Sequence, residues 1–251
     1  MRLLLRLLLL SFALPAGAAN VRMAFGDNLP PYILVRSSSG IEVDIVREAL
    51  AYRGHVLQPL FMPMGHIPMV FVAGKADAIM MDVGQDMAVA GGVYGDPPVV
   101  YDNVMYTLAR RRLSLKKPDD LDKLWILSFV GAGNRYPDWL GKREHTPFYS
   151  ERNNQAVQPQ LLAMGRYDVV VSDRTIFTYY LRQQQKTDLK FRMPPVDEHR
   201  LPAADPRAYR PVFRDAAVRD DFNAGLAWLR KSGRYDAIYH RYLDGAGDVL
   251  I

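Results

Sequence analysis

The chain has 251 residues, 49% of them hydrophobic, a formal net charge of +5 and no cysteine. The missing cysteine excludes disulfides, thiolate catalysis and Cys-based zinc sites. The basic excess is scattered, with Arg110-Arg111-Arg112 and Lys116-Lys117 as its one dense patch, so it reads as solvated surface and argues against a nucleic-acid partner.

Arg2 and Arg6 begin a basic start, an apolar run continues to Ala13, and Pro15 and Gly17 break it. Ala16-Gly17-Ala18 and Gly17-Ala18-Ala19 both fit a small-x-small cleavage site. Together these predict an export signal over 1–19 and a mature periplasmic chain starting at Ala19 or Asn20. The run is too short to span a bilayer, and no later segment offers about twenty apolar residues. No cysteine adjoins the cleavage site, which argues against a lipoprotein. Loss of Arg2 and Arg6 lowers the formal charge from +5 to +3. About 230 residues remain, enough for one large domain or two modest lobes.

Residues 21–25 alternate like a strand, and Pro30-Pro31 make 26–32 a loop. Ser37-Ser38-Ser39-Gly40 forms a turn before a helix over 41–52, where Ile41, Ile45 and Ala49 share a face and Gly54 marks the end. Residues 55–61 read as a strand and 69–72 as a short helix ending at Gly74. The segment Gly74-Lys75-Ala76-Asp77-Ala78-Ile79-Met80-Met81-Asp82 then has a near copy in Gly165-Arg166-Tyr167-Asp168-Val169-Val170-Val171-Ser172-Asp173. Each copy reads as helix end, tight turn, short buried strand and a carboxylate at the strand's C-terminal edge, where open α/β sheets hold ligands. The repeat predicts two similar α/β lobes sharing a cleft.

Tyr94-Gly95-Asp96-Pro97-Pro98 is a turn and 99–109 a β-rich run, with the first crossing between lobes expected at Arg110. Pro118-Asp119-Asp120-Leu121 opens a short helix, 125–130 is a strand, and Gly131-Ala132-Gly133-Asn134 is a Gly-rich turn. Helices follow over 154–164 and 175–184, and Pro194-Pro195 marks the expected return crossing. Residues 209–213 are strand-like, and helices over 220–229 and 235–242 hinge at Ser232-Gly233. The expected organisation is a signal over 1–19, a first lobe over 20–109 and 196–251, and a second lobe over 110–195.

In this order the motifs resemble the family 3 extracellular solute-binding proteins, known as periplasmic amino-acid receptors of ABC importers. The likeness rests on Pro31-Tyr32, Gly40-Ile41-Glu42-Val43-Asp44-Ile45, Gly74 to Ile79 and Tyr94-Gly95-Asp96-Pro97. It continues through Pro118-Asp119-Asp120-Leu121, Asn154-Gln155, Gly165-Arg166-Tyr167-Asp168 and Gly233-Arg234-Tyr235. The resemblance implies a two-lobed periplasmic-binding-protein-like type II fold, with two doubly wound α/β lobes joined by two crossings. It implies hinge closure on a small polar solute, an amino acid or an amine-like molecule. It also implies a monomer without a cofactor that meets an ABC permease or a sensor in the inner membrane. A dehydratase-like enzyme on the same fold is the remaining alternative.

By the same resemblance, Asp173 grips a ligand amino group and the turn with Gly133 and Asn134 faces a ligand carboxylate. An aromatic near Tyr32 covers the ligand. The family's usual arginine clamp would fall at Ala88 or Val89, and no arginine lies between Arg53 and Arg110. Ordinary α-amino-acid binding is therefore not expected, and the acids Asp173 and Asp82 point to a cationic ligand. Arg135 competes as a carboxylate grip from the second lobe. Tyr101 is a candidate wall and Asp27 a candidate lining residue. The plain alternatives stay open: Asp173 as a helix cap, Asp82 and Asp27 as turn residues, Arg135 as a surface arginine, Tyr32 and Tyr101 as core. His55, His66, His145, His199 and His240 show no i, i+4 pairing, so no metal site is expected. Neither a Gly-x-Ser-x-Gly elbow nor a phosphate-binding loop occurs. Met62, Met64, Met69, Met80, Met81 and Met87 read as apolar gap-fillers.

Overall fold

The computed structural model describes residues 17–203 and 209–244. The expected export signal over 1–19 lies outside them, apart from 17–19.

The first lobe starts with β1 (Asn20–Phe25), α1 (Ile41–Ala51), β2 (Val56–Phe61), α2 (Ile67–Val72), β3 (Ala78–Ile79) and β4 (Val93–Tyr94). The chain then enters β5 (Asn103–Leu108), β6 (Ile126–Phe129), α3 (Ala132–Arg135), β7 (Tyr149–Arg152), α4 (Gln158–Ala163), β8 (Val169–Asp173), α5 (Arg174–Thr187) and β9 (Val196–Arg200). It returns with β10 (Val212–Phe213), α6 (Ala216–Lys231) and α7 (Arg234–Leu243).

Among the described residues these strands form two five-stranded sheets, ordered β2-β1-β3-β10-β4 and β7-β6-β8-β5-β9. Each begins from a β-α-β-α-β unit whose three strands run parallel, with the first strand in the middle. Each is then completed by antiparallel strands, β10 beside β3 and β5 beside β8. The lobes are thus two mixed α/β sheets of like topology, the fold class the repeat predicts.

The repeat is local geometry made twice. Gly74 and Gly165 both take the left-handed conformation, at φ 70° and 68°, which a residue with a Cβ adopts at a cost. Asp77 then accepts the Arg22 backbone N–H at 2.9 Å, and Asp168 accepts that of Trp125 at 2.9 Å. Each acid ties the start of its own strand to the flank of the parallel neighbour. Arg22 and Arg111 close ion pairs on the same two acids.

The strand over 99–109, expected to end the first lobe, pairs in the second sheet instead. All six residues of β5 are buried, so it needs a partner on each edge, and β8 and β9 supply them. The first crossing therefore comes before Asn103, not at Arg110. Pro194-Pro195 does not mark the return, because Ala109 N–H donates to the Pro195 carbonyl at 2.9 Å and β9 follows in the second sheet. The return lies between β9 and β10.

The first-lobe core gathers Met23, Phe25, Ile41, Ile45, Leu50, Phe213, Phe222 and Leu226. It requires α1 and α6 to touch backbone to backbone. A Cβ on Gly225 would stand 2.0 Å from the Ala49 carbonyl oxygen. The second lobe has cores on both faces of its sheet, around Ile126, Val169 and Tyr149 on one side and Leu127, Val170 and Phe177 on the other. No helix among the described residues is long and apolar enough to cross a membrane.

Candidate functional site

The lobes meet at a cluster of tyrosines. Tyr32, from the loop after β1, is 1% exposed. Its ring centroid lies 4.6 Å from Tyr101 on the first crossing and 6.5 Å, edge-on, from Tyr239 of α7. Tyr101 stands 5.2 Å from Tyr209 on the return crossing, and the Arg135 guanidinium lies 4.6 Å over the Tyr209 ring. Four rings and one guanidinium thus form a continuous stack from the C-terminal helix to the second lobe.

Asp173 joins this stack at the end of β8. It is 1% exposed and accepts the Asp102 N–H at 2.7 Å on Oδ2 and the Ile176 N–H at 3.0 Å on Oδ1. The Tyr32 hydroxyl donates to Oδ1 at 3.4 Å, bridging the lobes. Asp173 is therefore the N-cap of α5, and it also touches the interlobe stack. Burial pushes its pKa up to about 6, against the pull of the Ile176, Asp102 and Thr175 amides and the Tyr32 hydroxyl. Burial, and then the Asp173 charge, push the Tyr32 hydroxyl well above its ordinary value. Burial and nearby Glu42 do the same to Tyr101.

The other candidates fall elsewhere. Asp82 lies past the end of β3 and accepts the Gly84 N–H at 2.9 Å and the Tyr94 hydroxyl at 2.9 Å, holding a turn in which Val83 and Gly84 have positive φ. Asp27 is exposed on its loop. Arg135 donates to the Tyr209 hydroxyl, so it is neither a bare surface residue nor a free grip. Asn134 is exposed and Gly133 buried. A Cβ on Gly133 would stand 1.8 Å from Glu144 Oε1, so a larger residue there would displace the Glu144 side chain.

The Gly-rich turn already holds an anion of its own. Glu151 of β7 accepts the Gly131 N–H at 2.7 Å and the Gly133 N–H at 3.0 Å, and the Tyr149 hydroxyl donates to it at 2.6 Å. Burial raises the Glu151 pKa, but Tyr149 and the Gly133, Gly131 and Ala132 amides outweigh it and hold the carboxylate below its ordinary value. The amides expected to face a ligand carboxylate are occupied by this side chain. Glu151, Glu42, Tyr209 and Tyr239 are not among the site residues read from the sequence. Glu42 does stand in the motif Gly40-Ile41-Glu42-Val43-Asp44-Ile45, between two apolar residues, but no role is read for it there. Among the described residues, no group of three or more His, Asp or Glu side chains is placed to hold a metal ion.

No family model matches the chain, and no curated protein sequence matches it. Solved structures do match its fold. The crystal structure of a histidine kinase sensor domain with similarity to periplasmic binding proteins has TM-score 0.64 and 21% identity, covering 89% of this chain and 96% of that one. Substrate-binding domain 2 of Lactococcus lactis GlnP, in an open conformation, has TM-score 0.60 and 21% identity, covering 92% and 98%. An ancestral cationic amino acid solute-binding protein has TM-score 0.63 and 19% identity, covering 89% and 95%. The chain therefore has the type II fold of periplasmic solute-binding proteins over nearly all of its described length.

Proposed function

We propose that the protein is a periplasmic solute-binding protein whose lobes close on a small polar solute bearing an amine and lacking a free carboxylate. It then presents that solute to a membrane partner. The observation that carries this reading is the buried junction itself, where Tyr32 of one lobe donates to Asp173 of the other inside a stack of tyrosine rings. A carboxylate has about four acceptor positions. Asp173 accepts from the Asp102, Ile176 and Thr175 amides and, over a long 3.4 Å, from the Tyr32 hydroxyl, and displacement of that hydroxyl frees a position for an ammonium group. Aromatic faces attract cations. Two observations disfavour a ligand carboxylate: Glu151 fills the Gly-rich turn, and no arginine lies between Arg53 and Arg110. The fold shared with solute-binding and sensor domains supports the reading of a binding protein and not an enzyme.

A substrate-binding domain and a histidine kinase sensor domain both share this fold, and an importer and a sensor are the two partner classes weighed. We favour the importer, with the sensor as alternative.

Thermal melting of the mature chain against amines, polyamines and amino acids tests the ligand class. A true ligand at one hundred times its Kd adds about 2.7 kcal/mol, a shift of about 5–10 °C for a chain of this size. Asp173→Ala is expected to abolish the shift and Arg135→Ala to preserve it. Stabilisation by glutamate but by no amine would overturn the ligand class.

A further inference from the structure

The junction holds a second acid. Glu42 sits in the first turn of α1, 1% exposed, and its Oε2 has no hydrogen-bond partner. Its position is fixed by the backbone. Gly40 caps the helix at φ 125°, where a Cβ would stand 2.2 Å from the Tyr32 carbonyl oxygen. The Ile41 N–H donates to the Pro31 carbonyl at 2.9 Å and the Glu42 N–H to that of Tyr32 at 3.1 Å. The helix start is thereby fastened to the loop that carries Tyr32. The Glu42 carboxyl is near enough to raise Tyr101, whose ring lies between those of Tyr32 and Tyr209. One acid thus approaches the stack from the first lobe, and Asp173 approaches it from the second.

A buried carboxyl oxygen without a partner is unfavourable, and an apolar side chain of similar volume would remove the penalty. Ile41 and Val43 show that this helix start accepts apolar residues on either side. Arg135, the arginine that touches the stack, is committed to Tyr209. The group that would satisfy Glu42 is therefore a cation from outside, arriving where ring faces add to its attraction.

We propose that Glu42 is a ligand-binding residue, and that the cleft holds a small organic ammonium ion between Glu42 and Asp173 against the rings of Tyr32 and Tyr101. This rests on the reading of the interlobe cleft as the solute site. Burial raises Glu42 to about 8 and Asp173 to about 6. At neutral pH Glu42 then carries a proton that the arriving cation displaces to solvent, and a carboxylate remains. The hydroxyls of Tyr32, Tyr101, Tyr209 and Tyr239, carried by the loop, both crossings and α7, are all raised and stay protonated. Glu42 and Asp173 are the groups there that titrate between pH 5 and 9.

Calorimetric titration of the mature chain with choline, ethanolamine and putrescine chlorides, in buffers of differing ionisation heat, tests this. At pH 7 the wild type is expected to release about one proton per ammonium bound. Its Kd is expected to fall about tenfold per pH unit between 6 and 8 and to level off above. Glu42→Gln is expected to bind at least about tenfold more weakly at pH 8 and to lose the slope, with Asp173→Asn keeping it. A wild type that binds an ammonium probe without proton release, or a Glu42→Gln variant with unchanged Kd and slope, overturns the inference and leaves the cleft reading standing. Binding of glutamate and of no ammonium probe overturns both.

Discussion

At the residue scale the junction is a matter of which carboxylates hold protons. Glu42 and Asp173 are raised to about 8 and about 6. The folded state therefore binds their protons more tightly than the unfolded state does. That contribution is complete below the ordinary carboxylate pKa near 4, and it is lost as pH rises through about 6 for Asp173 and about 8 for Glu42. Urea midpoints measured from pH 4 to 9 are expected to fall across this window, and the double variant Glu42→Gln, Asp173→Asn to flatten the fall. Glu151 has the opposite sign. Its carboxylate is held below the ordinary value, so its contribution is present above about pH 4.5 and lost as pH falls through the folded value. Glu151→Gln is expected to cost about 1–3 kcal/mol at pH 7, because charge-assisted bonds to two backbone amides become neutral ones. Asp173 was legible in the sequence because a repeat ends on it. Its capping of α5 was legible too, since that needs only the next three residues, but its contact with Tyr32 was not, because it spans 141 positions.

At the element scale the β-α-β-α-β order of the first lobe came through clearly, because strand alternation, helix periodicity and the left-handed glycines are all local, but α3 and β7 of the second lobe, both of four residues, were too short to leave a period. Lobe membership of β5 and β9 did not come through. A strand's sequence records how buried it is, and β5 is buried on every residue, but it does not record which sheet supplies the neighbours. The packing of α1 on α6 is equally non-local and turns on one glycine. Gly225→Ala is expected to destabilise the first lobe by about 1–3 kcal/mol, read by chemical denaturation, because the new methyl meets the Ala49 carbonyl and the helices must separate. Ala substitution at Gly74 meets no atom within 4 Å, so its penalty is expected to come from the positive φ alone, about 1 kcal/mol.

At the scale of the whole molecule, the proposed function requires two lobes joined by two crossings to bend about the crossings, with contacts made only when closed setting the balance. The Tyr32 hydroxyl reaches Asp173 across the two lobes in this structure. Tyr32→Phe keeps the ring stack and removes the hydroxyl, so it is expected to shift the ligand-free protein toward a more open form. Small-angle scattering checks this as a larger radius of gyration than wild type at the same pH. An unchanged radius would mean that ring packing, not the bridging bond, holds the lobes together.

The sequence by itself determined the two α/β lobes, the turns between their elements and the position of Asp173. These follow from periodicity, backbone conformation and short-range hydrogen bonds. Only the tertiary structure decided that β5 completes the second sheet, that Glu151 occupies the Gly-rich turn and that Asp82 is spent on Tyr94. It alone placed Glu42, Tyr209 and Tyr239 beside Tyr32 and Tyr101. Those outcomes depend on burial and on partners distant in the chain, and a carboxylate's chemistry is set by which donors reach it after folding, not by its neighbours in sequence.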